Sequence, residues 1–265
     1  AQTREHLEIL RFTGITRGII ALTKADMVDE EWLEIAKEDV METVAGTFLE
    51  DAPIFAVSSV TGEGIPALIE ALDMIAKDLP DRTEDALVRY GVDRVFSISG
   101  FGTVVTGTLV AGSLTLGQEV MIYPSKKKAK VRNLQVHDQN VEVAHAGQRV
   151  AINLAGIGKD EMDRGDILSN VDALVNTPML DVSLSTVELP FPLENRTRLR
   201  LYLGTSEILC RLALLDRDEL ISFESGYAQL RLEEEIAVQP GDHFVLRLYS
   251  PLITIGGGVI VDSLP

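Results

Sequence analysis

Apolar positions recur along this chain at two different periods, and the change from one to the other falls near Leu87. Leu7, Ile9 and Leu10 lie among charged residues over 2–13, with Thr3 placed to cap, so the pattern predicts an amphipathic helix that Gly14 stops. The continuous run Gly18-Ile19-Ile20-Ala21-Leu22-Thr23 predicts a strand of the kind buried on both faces in a parallel sheet. A helix is predicted over 29–48, with Trp32, Ile35, Ala36, Val40, Val44 and Phe48 on its apolar stripe and acidic residues in its first turn, where the helix dipole favours them. Ile54-Phe55-Ala56-Val57 is a second buried strand, and Leu68, Ile69, Leu72 and Ile75 give 65–76 helical spacing. Helix, strand, helix, strand, helix is the order expected of the latter portion of a doubly wound sheet.

Beyond Leu87 the period drops to two: Val92, Val95, Val104, Leu109, Val120, Ile122, Val131, Leu134, Val136, Val150, Ile152 and Leu154. Turn signals at Gly107, Gly112, Gly117, Pro124, Gly147, Gly156 to Gly158 and Gly165 come at the spacing of a small barrel. The stretch Asp93 to Gly107 reads as two strands with a tight turn at Gly100 and Gly102, and no third glycine or helix follows to make it a nucleotide loop. A connector at 172–178 leads to further strands over 180–187, 197–204, 207–215, 226–233 and 242–247. Thr254 to Val261 reads as a glycine hinge and a final strand. The fold expected is multidomain, α/β plus β: a partial doubly wound domain over 1–82, then two small antiparallel β-barrels over 83–175 and 176–265.

Charge refines this picture. The net charge is −17, against a generic polyanion binder, yet it divides as −10 over 1–82, −1 over 83–175 and −6 over 176–265. The near-neutral middle third holds Lys126, Lys127, Lys128, Lys130 and Arg132, a candidate contact for an RNA phosphate backbone; a solvated hairpin tip after Pro124 and Ser125 is the other reading. The apolar runs are too short to span a membrane and no leader-like opening is present, so the expected location is cytoplasmic. The single cysteine, Cys210, sits in an apolar run and reads as a core thiol, and the four histidines form no metal-ligand spacing.

Candidate chemistry lies at the carboxyl ends of the two predicted parallel strands, where open α/β sheets bind ligands. In Thr23-Lys24-Ala25-Asp26 the Asp26 carboxylate suits the paired donors of guanine, N1–H and the exocyclic amine, and the Lys24 stem suits the purine face. The same residues also suit a plain strand-to-helix turn with Asp26 as a cap. Ser58-Ser59-Val60 would close the other side of a base with hydroxyls and amides.

With these motifs in order, the sequence resembles the translational GTPases. Ala1-Gln2-Thr3-Arg4-Glu5-His6 looks like the segment after the second switch in elongation factor Tu and its relatives. Thr23, Lys24 and Asp26 match the family's guanine-specificity motif, Ser58 and Ser59 its last base-contacting motif, and Asp93 to Gly107 the start of its second domain. Thr23, Asp93-Arg94, Asp163-Arg164-Gly165-Asp166-Ile167-Leu168, Leu203 to Glu207 and Thr254 to Gly258 are most similar to the selenocysteine-specific elongation factors.

The resemblance implies GTP-dependent delivery of selenocysteinyl-tRNA to the ribosome by a cytoplasmic, monomeric factor that also reads an mRNA element. It further implies an aminoacyl pocket at Arg94 and Arg164, held by Asp93, since selenols are far more acidic than thiols and an arginine pair would distinguish the anion from a serine hydroxyl. Strand-end ion pairs with Asp93 and Asp163 are the plainer role for those arginines. A general aminoacyl- or initiator-tRNA carrier and a non-catalytic interaction module are the alternative functions. The chain contains no Gly-x-x-x-x-Gly-Lys-Ser/Thr loop, no switch segments and none of the family's winged-helix modules. The expectation is therefore that it assigns no catalytic residue and no metal site, lacks the family's Mg2+ ligands, and by itself hydrolyses no GTP and holds GTP or GDP weakly.

Overall fold

The computed structural model describes residues 2–79, 86–98, 100 and 102–265. Ala1, the expected boundary at 82/83, and Ser99 and Phe101 of the Asp93 to Gly107 stretch lie outside the described residues. The chain divides into two compact units, 1–81 and 82–265.

The first unit runs α1 (Gln2–Arg11), β1 (Ile20–Thr23), a single 3-10 turn (Ala25–Met27), α2 (Glu30–Val44), β2 (Ile54–Val57) and α3 (Ile65–Lys77). The α/β order matches the period of the sequence. β1 is shorter than the apolar run and alternates between half-buried and exposed positions, because among the described residues it pairs with β2 alone, in parallel. Asp29 caps α2 by accepting from the Trp32 amide at 3.0 Å. That helix turns Leu33, Val40 and Val44 inward, whereas Trp32 is 62% and Ile35 48% exposed, so the inner stripe lies to one side of the one expected. It stops at Val44 because Gly46, at φ 72, turns the chain, and Phe48 falls beyond it.

The second unit contains two closed six-stranded antiparallel barrels. The first is built from β3 (Arg89–Ile98), β4 (Gly102–Ala111), β5 (Glu119–Tyr123), β6 (Lys127–Val136), β7 (Arg149–Ala155) and β8 (Ile167–Ser169). Its strands follow the order β7-β4-β3-β8-β5-β6, and β6 closes on β7. Alternate residues such as Val92, Val105, Leu109, Val120, Ile122, Leu134 and Ile152 fill the interior, with Tyr90 among them at 0% exposure. The Tyr90 hydroxyl donates to the Val150 carbonyl at 2.8 Å, which satisfies its one buried polar group and ties β3 to β7.

The second barrel comprises β9 (Asn176–Thr186), β10 (Arg198–Leu203), β11 (Ser206–Leu214), β12 (Ser225–Ala237), β13 (His243–Leu248) and β14 (Thr254–Asp262), in the order β9-β12-β11-β10-β13-β14. Cys210 is buried in its core, and burial pushes the thiol up to about 12. Arg89 grips Asp242 with two hydrogen bonds of 2.5 and 2.7 Å, and Ser206 Oγ donates to the Gly165 carbonyl at 2.8 Å, so side chains of each barrel engage the other.

Two glycine expectations are corrected. Gly107 lies inside β4 and makes no turn: a Cβ there would sit 2.0 Å from the Gly91 carbonyl oxygen. Gly256 to Gly258 form no hinge either, since they pair on both sides within β14, where a Cβ on Gly258 would meet the Ser183 carbonyl at 1.9 Å. In both places glycine permits close backbone approach.

Candidate functional site

In the first unit, Thr23 ends β1 opposite Val57 at the end of β2, so the loops beginning at Lys24 and Ser58 leave the same end of a parallel pair. Strands that pair lie about 4.8 Å apart, which brings both expected motifs to one ligand-sized region. Lys24 turns the chain in the left-handed region at φ 63 and its carbonyl accepts from the Met27 amide at 3.0 Å, which sets Asp26 in the short 3-10 turn. Asp29, and not Asp26, caps the following helix. Asp26 is exposed, and its carboxylate makes no hydrogen bond or ion pair among the described residues.

Ser58 has a different job from the one expected. It is fully buried, and its hydroxyl accepts from the amides of Val60 and Thr61 at 3.2 and 3.1 Å while its carbonyl accepts from Gly62 at 2.9 Å. Its side chain and the Val60 amide are thus engaged in shaping the loop, and Ser59, which is exposed, is the serine left to face a ligand. Gly64, at φ 72, closes the loop against β2, where a Cβ would lie 2.0 Å from the Ala56 carbonyl. The residues fit a guanine base through Asp26, Lys24 and Ser59.

The first barrel carries the second set. A shift of register between Val92 and Arg94 gives β3 one extra residue against β4, and a bulge of this kind turns two successive side chains to the same face. Asp93 and Arg94 are those residues: Val92 before them is buried, and Val95 after them packs on the core. Arg149, the first residue of β7, donates to Asp93 at 2.6 and 3.1 Å, and Thr106 Oγ1 donates to the same carboxylate at 3.0 Å. Its hydrogen bond to Asp93 raises the Arg149 pKa further above its ordinary value, so it is a permanent cation here. Directly beneath, burial and then the Asp93 charge push the Tyr90 phenol well above the ordinary tyrosine range, so its hydroxyl remains a neutral donor.

This corrects the expected pairing. Asp93 is held by Arg149 and not by Arg94 or Arg164. Arg94 is exposed on the outer face, alongside Phe96 and Ile98, which are 41% and 46% exposed. Arg164 instead lines an open depression of about 670 Å³ with Val95, Ser97 and Lys159, on the other face of β3. The arginines that share Asp93's face are Arg94 and Arg149. Arg149 was missed because it reads as the polar first residue of a strand; a cation directly after Gly147 and Gln148 was the signal available.

The lysine run lies along the hairpin of β5 and β6, with Lys126 in the turn at φ 57. Lys127 pairs with Glu161 at 2.7 Å and Lys128 with Glu119 at 3.2 Å, so these two charges are offset locally. Lys126, Lys130 and Arg132 are exposed without an ion pair among the described residues.

A larger cationic face went unread. The stretch 176–265 has seven arginines and no lysine, and strand register sets Arg198 beside Arg211, Arg211 beside Arg231, and Arg200 beside Arg247 on the outside of the second barrel. Arg198 and Arg200 lie over the Tyr249 ring, 4.6 and 5.1 Å from its centroid, and pair with Glu233 and Glu207. Sequence spacing separates these arginines by up to 49 residues, and only the register of four strands assembles them.

Three family models match successive parts of the chain: the elongation factor Tu GTP-binding domain over 1–78, elongation factor Tu domain 2 over 102–169, and the β-barrel domain of the selenocysteine-specific elongation factor over 180–265. The chain is 45% identical over 265 residues to a selenocysteine-specific elongation factor of Desulfomicrobium baculatum, covering 99% of this chain and 42% of that protein. It is 34% identical to the one of Escherichia coli K12, over 98% of this chain and 41% of that protein. A crystal structure of a bacterial selenocysteine-specific elongation factor superposes with a TM-score of 0.84 at 29% identity, over 97% of this chain and 42% of that one. The chain therefore spans about two fifths of the length of these relatives.

Proposed function

From the premise that this chain belongs to the translational GTPases, alongside their selenocysteine-specific elongation factors, we propose that it is the core of a factor that delivers selenocysteinyl-tRNA to the ribosome. The observation that carries this reading is the Asp93-Arg149 pair with Arg94 on the same face, a local concentration of cations in a chain of net charge −17. Asp93 neutralises part of Arg149 and fixes its plane, which leaves the remaining guanidinium donors and Arg94 to meet an anion. A selenolate is such an anion at neutral pH. A serine hydroxyl, offering no charge, gains little from the same cations.

Guanine specificity falls to Asp26, with the Lys24 stem along the base and Ser59 on its far side. When bound, GTP would supply the free energy that couples tRNA binding to release, with Mg2+ beside its phosphates; no residue of this chain is assigned to the ion. The arginine face of the second barrel suits an RNA backbone through planar, bidentate contacts to phosphate, and Lys126, Lys130 and Arg132 extend the cationic surface on the first barrel. We further propose a cytoplasmic, monomeric factor, with an mRNA element read by other parts of the protein.

The test holds the tRNA constant. The complete gene product, loaded with GTP, is titrated with one tRNA body carrying selenocysteine or serine. A preference for selenocysteine of tenfold or more, the order expected when a charged site gains its partner, supports the proposal. Equal affinity points to a general aminoacyl-tRNA carrier, and binding of neither overturns the carrier reading.

A further inference from the structure

We propose that one loop end of the second barrel, formed by 187–193 and 219–224, docks a lysine- and arginine-rich protein segment on the ribosome, with Phe223 as the anchor. The proposal rests on the carrier reading for where that segment is found. Phe223 holds φ 62 and is 72% exposed. Bulky residues seldom adopt the left-handed region, and a local conformation of this cost persists only where the surroundings enforce it. Here they do.

Thr186, 6% exposed, donates its amide to the Glu224 carbonyl at 2.8 Å and its hydroxyl to the Ile221 carbonyl at 2.7 Å, and that hydroxyl accepts from the Glu224 amide at 3.0 Å. The Phe223 amide donates to the Val187 carbonyl at 3.3 Å, and the Leu189 amide to Ser222 Oγ at 2.9 Å. Five hydrogen bonds thus fix a turn whose product is an exposed phenyl ring. Phe191 and Ile221, 50% and 46% exposed, belong to the same pair of segments, which are joined by the Leu193 to Leu220 and Glu194 to Glu219 pairing. A fixed, exposed aromatic with two further exposed apolar side chains on the same pair of segments has the composition of a binding hot spot.

Charge selects the occupant. Glu188, Glu194, Asp216, Asp218, Glu219 and Glu224 lie in or beside these segments, and the nearby Arg217 is already paired with Asp216 at 3.0 Å and Glu224 at 3.6 Å. An acidic rim repels phosphate, so RNA does not suit this end as it suits the arginine face of the same barrel. It also repels a second copy of this acidic chain. An apolar pocket flanked by lysine and arginine is the complementary surface.

The experiment places the photo-crosslinker p-benzoylphenylalanine at 223 in the complete factor, bound to salt-washed ribosomes with aminoacyl-tRNA and a non-hydrolysable GTP analogue. A cross-link to one basic ribosomal protein is expected; a cross-link to RNA or to a second copy, or none from bound factor, overturns the proposal. Phe223→Gly gives an independent readout. Glycine accepts φ 62 without strain, so thermal stability should hold or rise and tRNA affinity stay unchanged, while ribosome affinity falls about tenfold or more. Unchanged ribosome affinity also overturns docking. Loss of selenocysteine preference together with an intact cross-link sinks the carrier's specificity alone, and a factor that binds no ribosomes sinks both.

Discussion

Arg149 reaches from the start of β7 to chelate Asp93 in the bulge of β3, Nη1 to Oδ2 at 2.6 Å and Nη2 to Oδ1 at 3.1 Å. The two residues are 56 apart in sequence and meet because β4 lies between their strands and Thr106 donates to the same carboxylate. The pair orients one cation and leaves Arg94 beside it unneutralised among the described residues. Arg149→Ala and Arg94→Ala should therefore each lower affinity for selenocysteinyl-tRNA about tenfold or more while leaving seryl-tRNA binding nearly unchanged. Arg164→Ala, on the other face of β3, should leave both unchanged. Equilibrium binding with the two aminoacyl groups on one tRNA body checks all three, and a uniform loss across both would mark a structural role instead.

On the proposed function, Asp26 is the residue that would select the base. A carboxylate accepts from both donors of guanine, whereas a carboxamide presents one donor and one acceptor. Asp26→Asn should weaken GTP and GDP binding by about 2 kcal/mol or more, since hydrogen bonds to a charged group are lost, and should raise relative affinity for xanthosine nucleotides, which carry a carbonyl where guanine has its amine. Competition between the two nucleotides in the complete gene product reads this directly. Ser58→Ala, in contrast, should act through the loop it shapes and lower thermal stability.

The class of each element was legible because period is a backbone property: helical spacing stops and alternation starts where the helices give way to barrels. Which face a residue takes was less so. Val104, read with the core set, lies in register with Phe96 on the outer side, one residue out of phase with the buried Val105 and Leu109 of its own strand, while the bulge at Val92 to Arg94 changes the phase of β3 so that Val92 and Val95, three apart, both face the core. A one-residue insertion of that kind leaves no trace in hydropathy. Trp32 and Ile35 read as core because α2 carries apolar residues over more than one face, and only packing chose Leu33, Val40 and Val44. That the loops after Thr23 and Val57 leave one end of a parallel pair was legible, since each follows an apolar run in sequence. The Asp93-Arg149 pair and the arginine face were not, since long-range register creates both.

Asp166 lies beside the cleft of about 480 Å³ that Glu161, Asp163, Glu207, Glu234 and Glu235 also line. Burial first, and then the like charge of Asp163, raise its pKa above the ordinary aspartate value. A proton is thus held more tightly in the folded than in the unfolded chain, so its contribution to stability is full below the unfolded pKa near ~3.9 and is lost as pH rises through the raised value. At neutral pH the charged form is a burden. Asp166→Asn keeps an acceptor for the Asp163 amide, now bonded to Oδ2 at 2.9 Å, and should raise the urea midpoint at pH 7, with the gain shrinking toward pH ~3.5. A difference independent of pH would show that the charge carries no penalty.

Gly91 and Gly107 lie on adjacent strands of the first barrel and should respond in opposite ways to the same methyl group. A Cβ on Gly91 would meet Thr205 Oγ1 at 3.4 Å, an ordinary contact, whereas one on Gly107 would lie 2.0 Å from the Gly91 carbonyl oxygen and 3.0 Å from Tyr90 Cζ. Backbone cannot yield as a flexible side chain can, so Gly107→Ala must push β3 from β4. The expected cost is about 3 kcal/mol, the upper end for overpacking, against less than about 1 kcal/mol for Gly91→Ala. The displacement has a functional consequence as well. Tyr90, anchored to Val150, and Asp93, anchored to Arg149, are both on the strand that must move. Gly107→Ala should therefore lose selenocysteine preference even at a temperature where it remains folded, while Gly91→Ala keeps it. Urea unfolding paired with the two-tRNA titration separates these effects, and a folded Gly107→Ala protein with full preference would show that the Asp93-Arg149 geometry does not set specificity.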